Sequence, residues 1–153
     1  MTSSEFEHEL NVACTAVQLC SILTKRLQKQ TISPGGSISK KDLSPVTIGD
    51  YASQALLSSS IRTQPGSTHD EFLAEESADE LRKNPLLLDK VWELVEEMRP
   101  VFANAHPALV APSSRDEVLD LIDMGGKNNR SNAPRTWVFD PIDGTATFIE
   151  GKQ

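Results

Sequence analysis

The segment Trp137-Val138-Phe139-Asp140-Pro141-Ile142-Asp143-Gly144-Thr145 constrains this chain more than any other stretch. Its aromatic and β-branched run reads as a buried strand. The run stops at two aspartates flanking Pro141-Ile142, and Gly144-Thr145 can then open a helix. Any fold that holds the segment must end a core strand at two carboxylates. Such a pair is costly unless a cation neutralises it. Oxygen ligands at that density suit Mg²⁺ rather than zinc. The backbone amides of Gly144 and Thr145 would meet an anion such as phosphate. Metal plus phosphate is the chemistry the segment points to. Asp-Pro and Asp-Gly are also ordinary turn pairs, and a plain turn after a core strand is the alternative.

Two other acidic sites share this placement. Asp50 follows Ser44-Pro45-Val46-Thr47-Ile48-Gly49 at a predicted N-cap or first turn. The helix it opens spans Tyr51 to Arg62, with Ala52, Ala55, Leu56 and Ser59 facing inward. Glu75 and Glu76 follow a short strand, Phe72-Leu73-Ala74. Carboxylates at adjacent element ends can converge on one metal cluster; for each alone, surface solvation is the alternative. Residues 4–30 read as a long, largely buried helix with two apolar stripes. One stripe is Phe6, Leu10, Ala13, Val17 and Cys20, and the other is Val12, Ala16, Leu19 and Leu23. Thr31 to Ile38, around Pro34-Gly35-Gly36, suggests a hairpin or mobile loop. Lys40 to Thr47 is expected to be extended, since Pro45 disfavours helix at Ser44. Residues 78–84 read as a polar loop. Leu87, Val91, Leu94, Val95 and Met98 give a helix over Leu86 to Arg99, ended by Pro100. Ser114 reads as the N-cap of Arg115 to Met124, and Gly125 to Pro134 as a polar loop.

At 153 residues a single domain is expected. The formal net charge of −7, from 22 acidic and 15 basic residues, argues against nucleic acid held on a basic surface. An anionic small substrate stays open, because bound metal can reverse the local sign. Cys14 and Cys20 lack metal-ligand spacing and read as buried free thiols. No basic region followed by an apolar stretch opens the chain, and no apolar run approaches ~18 residues. A soluble cytoplasmic protein, possible also in the nucleus and without membrane contact, is the expectation.

The order Asp140-Pro141-Ile142-Asp143-Gly144-Thr145 resembles the signature of the inositol monophosphatase-like, Mg²⁺-dependent, Li⁺-sensitive phosphatases. Lys41 to Ala55 resembles more narrowly their 3′(2′),5′-bisphosphate nucleotidase branch, for which Ser-Pro-Val-Thr-x-x-Asp-Tyr is typical. The helix ending Leu23-Thr24-Lys25-Arg26 is similar to that branch as well. The resemblance covers essentially the whole chain, residues 79–133 being least distinctive. It implies an α+β fold: residues 1–153 as the N-terminal part of the layered αβαβα fold shared with fructose-1,6-bisphosphatase-like sugar phosphatases. The C-terminal half would be missing, together with a Trp-Asp-x-Ala-x-Gly motif whose Asp completes the metal site. Residue by residue, it implies Glu75 as a shared metal ligand, with Asp140 and Asp143 ligating through carboxylates and Ile142 through its carbonyl. Asp50 and Thr145 would act on the nucleophilic water, and the amides of Gly144 and Thr145 would hold the phosphate. The implied reaction is Mg²⁺-assisted hydrolysis of adenosine 3′,5′-bisphosphate to AMP and phosphate, within sulfate assimilation and nucleotide metabolism. Li⁺ would inhibit, and the chain alone would be weakly active or inactive. The competing expectations are an inositol-phosphate phosphatase of the same superfamily and a catalytically dead fragment acting as an interaction module.

Overall fold

A computed structural model describes residues 6–32, 45–105, 109–126 and 133–142. The first helix, α1 (Glu7–Ile32), carries Glu7 and Glu9 in its first turn and Lys29 in its last, the charge order its dipole favours. Thr31 and Ile32 close this helix, and the rest of the expected hairpin lies outside the described residues. Only one of the two apolar stripes enters the core. Val12, Ala16, Leu19 and Leu23 are buried, joined by Cys20 and Leu27, whereas Phe6, Leu10 and Val17 are 56%, 61% and 58% exposed. The expectation of a largely buried helix is therefore corrected to a one-sided one. Among the described elements, α1 packs mainly against the helices Pro45–Arg62 and Pro85–Ala105. Cys14 is exposed, against expectation, while Cys20 is buried and its thiol is pushed up to about 12 by that burial.

The second helix, α2 (Pro45–Arg62), begins before its expected start, so Pro45–Thr47 is helical rather than extended. Proline suits this first position: its fixed φ matches the helix, and the N–H it lacks would have had no partner there. Every residue from Tyr51 to Ile61 is buried. The run is rich in Ala and Ser, and small side chains let α1 and the later helices Pro85–Ala105 and Arg115–Asp123 approach α2 from several sides.

A short 3₁₀ turn at Ser67–His69 leads into β1 (Glu71–Ala74). The expected polar loop over 78–84 is mostly a helix, α3 (Asp79–Lys83), anchored by buried Leu81 and with acidic residues before basic ones. Next, α4 (Pro85–Ala105) runs through Pro100 instead of ending before it. Proline removes one helical hydrogen bond, yet buried Met98 and Phe102 lie on either side of it. Burial of the shared face outweighs the local break. The last described helix, α5 (Arg115–Asp123), starts as expected: the Ser114 hydroxyl accepts from the Glu117 N–H at 3.1 Å. A 3₁₀ turn, Met124–Gly126, follows it.

Strand β2 (Thr136–Phe139) pairs in parallel with β1, and among the described residues these two make the whole sheet. The strand is not buried throughout, as its composition suggested. Trp137 and Phe139 are half-buried, and Val138 is 70% exposed. One face packs inward, with Phe72 and Phe139 edge to face at 6.3 Å and 86°. The elements mix helices with a small sheet, in line with the expected α+β class. No helix among the described residues is long and apolar enough to cross a membrane.

Candidate active site

The strand register sets the first two acids. Ala74 lies opposite Phe139 in a parallel pair, so Glu75 and Asp140 leave the sheet side by side at the same end. Asp50 comes from α2. It lies past the first turn of that helix, not at its N-cap, and is 9% exposed. The turn after β2 folds back onto the residue preceding it. A Cβ at position 49 would stand 2.6 Å from Leu27 Cδ1 and 3.2 Å from Ile142 Cδ1. Glycine lets α1 and the Asp140-Pro141-Ile142 turn close on α2 without the ends of Leu27 and Ile142 having to shift. Ile142 is buried in that contact, which sets the turn beside Asp50.

Electrostatics joins the same residues. The Asp50 carboxyl is pushed up to about 7, first by burial and then by the charges of Glu76, Asp140 and Glu75. Glu76 is also raised, by burial and then by Glu75, while a hydrogen bond from Tyr51 works in the opposite direction. The Tyr51 hydroxyl donates to Glu80 Oε2 at 3.2 Å. Burial and the nearby carboxylates hold that phenol above its usual range. A cation would relieve this crowding of like charges. The donors are all oxygens, which fits Mg²⁺ better than zinc.

Shared charge is not yet a closed ligand cage. Among the described residues, no group of three or more His, Cys, Asp or Glu side chains is arranged to hold one ion. A cavity of about 270 Å³ beside Asp140 opens between α1, α2 and β2, lined by residues such as Ala16, Cys20, Leu57 and Trp137. Neither Asp50 nor Glu75 lines it. Asp143, Gly144 and Thr145 lie outside the described residues.

Three residues that organise this region escaped the sequence reading. Gln54 sits one turn beyond Asp50 on α2 and is fully buried. Its Nε2 donates to the carbonyls of Glu76 at 2.8 Å and Ile122 at 2.9 Å, and its Oε1 accepts from the Glu76 N–H at 3.0 Å. The four-residue spacing from Asp50, which puts both on one helix face, was the available signal. Asp70, whose side chain is fully enclosed, accepts from Arg135 Nε at 2.9 Å and from Trp137 Nε1 at 2.8 Å. Arg135 also donates to the Gly66 carbonyl at 2.9 Å and pairs with Glu9. This cluster ties β2 to α1 and to the turn before β1, and so sets where Asp140 emerges. Nothing local in the sequence marks its partners.

Comparison with known proteins adds a second line of argument. The sequence profile of the inositol monophosphatase family matches residues 6–153. A Candida albicans protein named 3′(2′),5′-bisphosphate nucleotidase 2 is 35% identical over 150 residues, covering 97% of this chain and 41% of the relative. The 3′(2′),5′-bisphosphate nucleotidase of Schizosaccharomyces pombe is 37% identical over 151 residues, covering 97% and 42%. The protein of that name from Emericella nidulans is 38% identical over 149 residues, covering 97% and 41%. The chain spans about two fifths of the length of these relatives.

Proposed function

The chain belongs to the inositol monophosphatase family, and on that premise we propose that it is part of a phosphatase acting on adenosine 3′,5′-bisphosphate. The support that carries this reading is one shared name. Relatives at 35%, 37% and 38% identity, each covering 97% of the chain, are all called 3′(2′),5′-bisphosphate nucleotidase. The crowding of Asp50, Glu75, Glu76 and Asp140 agrees with it.

In the proposed reaction a water oxygen bonds to phosphorus as the bond to the ribose 3′-oxygen breaks, giving AMP and phosphate. Glu75, Asp140, the Ile142 carbonyl and Asp143 would hold Mg²⁺, the cofactor of this reading. Bound there, Mg²⁺ would supply Lewis acidity to the phosphate and the attacking water. Asp50, to which Thr145 would relay a hydrogen bond, would orient that water and take up its proton, which the departing ribose 3′-oxygen gains in exchange. The amides of Gly144 and Thr145 would donate to the phosphate oxygens and stabilise their growing charge. A cytoplasmic or nuclear place in sulfate assimilation and nucleotide metabolism, and inhibition by Li⁺, belong to the same proposal.

Phosphate release with Mg²⁺ tests it, comparing adenosine 3′,5′-bisphosphate with inositol 1-phosphate. From the 153-residue chain alone we expect little turnover, since it spans about two fifths of its relatives. Joined to the remainder of the Schizosaccharomyces pombe relative, it should prefer the nucleotide. Asp143→Asn should then nearly abolish turnover, because it removes a charge from the metal ligands. Thr145→Ala should slow turnover by roughly 10² to 10⁴, the range of one proton-transfer contact, with a smaller effect on metal affinity. Preference for inositol 1-phosphate, or wild-type turnover by Asp143→Asn at saturating Mg²⁺, would refute the reading.

A further inference from the structure

We infer that Gln54 is a positioning residue for the Glu75-Glu76 carboxylates, an inference that rests on the metal-site reading above. Strand β1 ends at Ala74, where the ladder that holds it to β2 stops. The Gln54 side chain takes over that task. Its amide bonds both the N–H and the C=O of Glu76, at 3.0 and 2.8 Å, as a paired strand residue would. The remaining amide hydrogen goes to the Ile122 carbonyl at 2.9 Å, in the last turns of α5. The amide is fully buried, and its oxygen and both hydrogens are committed to the backbone of two other elements.

The 3₁₀ turn after α5 closes behind this contact. A Cβ at Gly125 would lie 2.7 Å from Ala74 Cβ and 3.2 Å from both the Ala74 nitrogen and Gln54 Nε2. A side chain at position 125 would therefore displace the end of β1, the Gln54 amide or both. Asp50 sits one turn back on the same helix face. A single turn of α2 thus carries one acid of the cluster together with the clamp that holds two others. The separation between Asp50 and the Glu75-Glu76 pair is set by a covalent helix turn and two hydrogen bonds.

A buried glutamine that merely fills the core would affect folding and leave ion binding alone. Positioning predicts a change in ion affinity by a protein that is still folded. Gln54→Met keeps the side-chain volume and deletes the hydrogen bonds. Its Mn²⁺ affinity, read by electron paramagnetic resonance on the full chain, should fall roughly 10- to 100-fold, the usual effect of losing an outer partner of a ligand. Gly125→Ala, which pushes on the amide without removing it, should weaken Mn²⁺ severalfold. Within the wild-type protein, Mg²⁺ titration followed by NMR of the uniformly ¹⁵N-labelled chain should shift the Gln54 side-chain amide. The amide of Gln64, donating to the Ser60 carbonyl at 2.7 Å within its own helix region, should stay in place. A folded Gln54→Met protein with Mn²⁺ affinity within twofold of wild type overturns the inference. Should that variant fail to fold, the titration decides: a response at the Glu75 and Glu76 backbone amides with none at Gln54 overturns it alone. No Mg²⁺ or Mn²⁺ response anywhere in the wild type overturns the metal-site reading and the inference with it.

Discussion

Glu117 joins two serines at the start of α5. Its Oε2 accepts from the Ser113 hydroxyl at 2.6 Å and the Ser113 N–H at 2.7 Å, while its own N–H donates to the Ser114 hydroxyl. These Ser113 bonds, the hydroxyl first, hold the Glu117 carboxyl below its ordinary value. A carboxyl whose pKa is lower folded than unfolded stabilises the fold above the unfolded value and loses that effect as pH falls through the folded one. Thermal melts should therefore show Glu117→Gln less stable than wild type at neutral pH. The gap should close on acidification below the usual carboxylate pKa of about 4. An unchanged gap at low pH would show that packing, not charge, is the source. The Ser114 cap was legible because a cap joins residues three apart, a distance a reader of the sequence can scan. The acids Asp50, Glu75 and Asp140 were legible as candidates through their place at or near element ends. Gln54 was not, since its partners Glu76 and Ile122 lie 22 and 68 residues away.

Among the elements, α4 shows where local rules lose to packing. Its apolar period was readable, and Leu87, Val91, Leu94, Val95 and Met98 are all buried as expected. Its end was not readable, because Phe102 is buried beyond Pro100 and draws the helix through it. Pro100→Ala restores an N–H to the helix interior and should raise stability by up to about 3 kcal/mol, the cost of an interior proline. Denaturant melts of the two proteins would measure it, and a destabilised variant would mean that packing of α4 depends on the proline itself. The short helix α3 is hidden for another reason: five residues are fewer than one reading window of the helical period. On α1 both apolar stripes have helical spacing, and only the number of neighbouring helices decides which one is buried.

For the molecule as a whole, the outer face of the sheet keeps one open apolar pair. Leu73 and Val138 are register partners, 45% and 70% exposed, and α1 shows Phe6, Leu10 and Val17 nearby in sequence along one side. Leu73→Thr with Val138→Thr should bind less of a dye selective for exposed apolar surface and should aggregate less. Surface exchanges of this kind change stability by only about 0.5 kcal/mol each. A large loss of stability would mean that these side chains are covered in solution. The joining of β1 to β2 has a consequence in time as well. Arg135 and Asp70, which lock the two strands together, are 65 residues apart in the chain. Closing a loop of that length adds little to its equilibrium cost, since the entropy grows only with the logarithm of length, but distant pairings slow folding. Glu75 and Asp140 become neighbours only when this loop shuts. A divalent cation that needs both to bind would thus act chiefly as a latch on the finished chain, lengthening its lifetime more than hastening its birth.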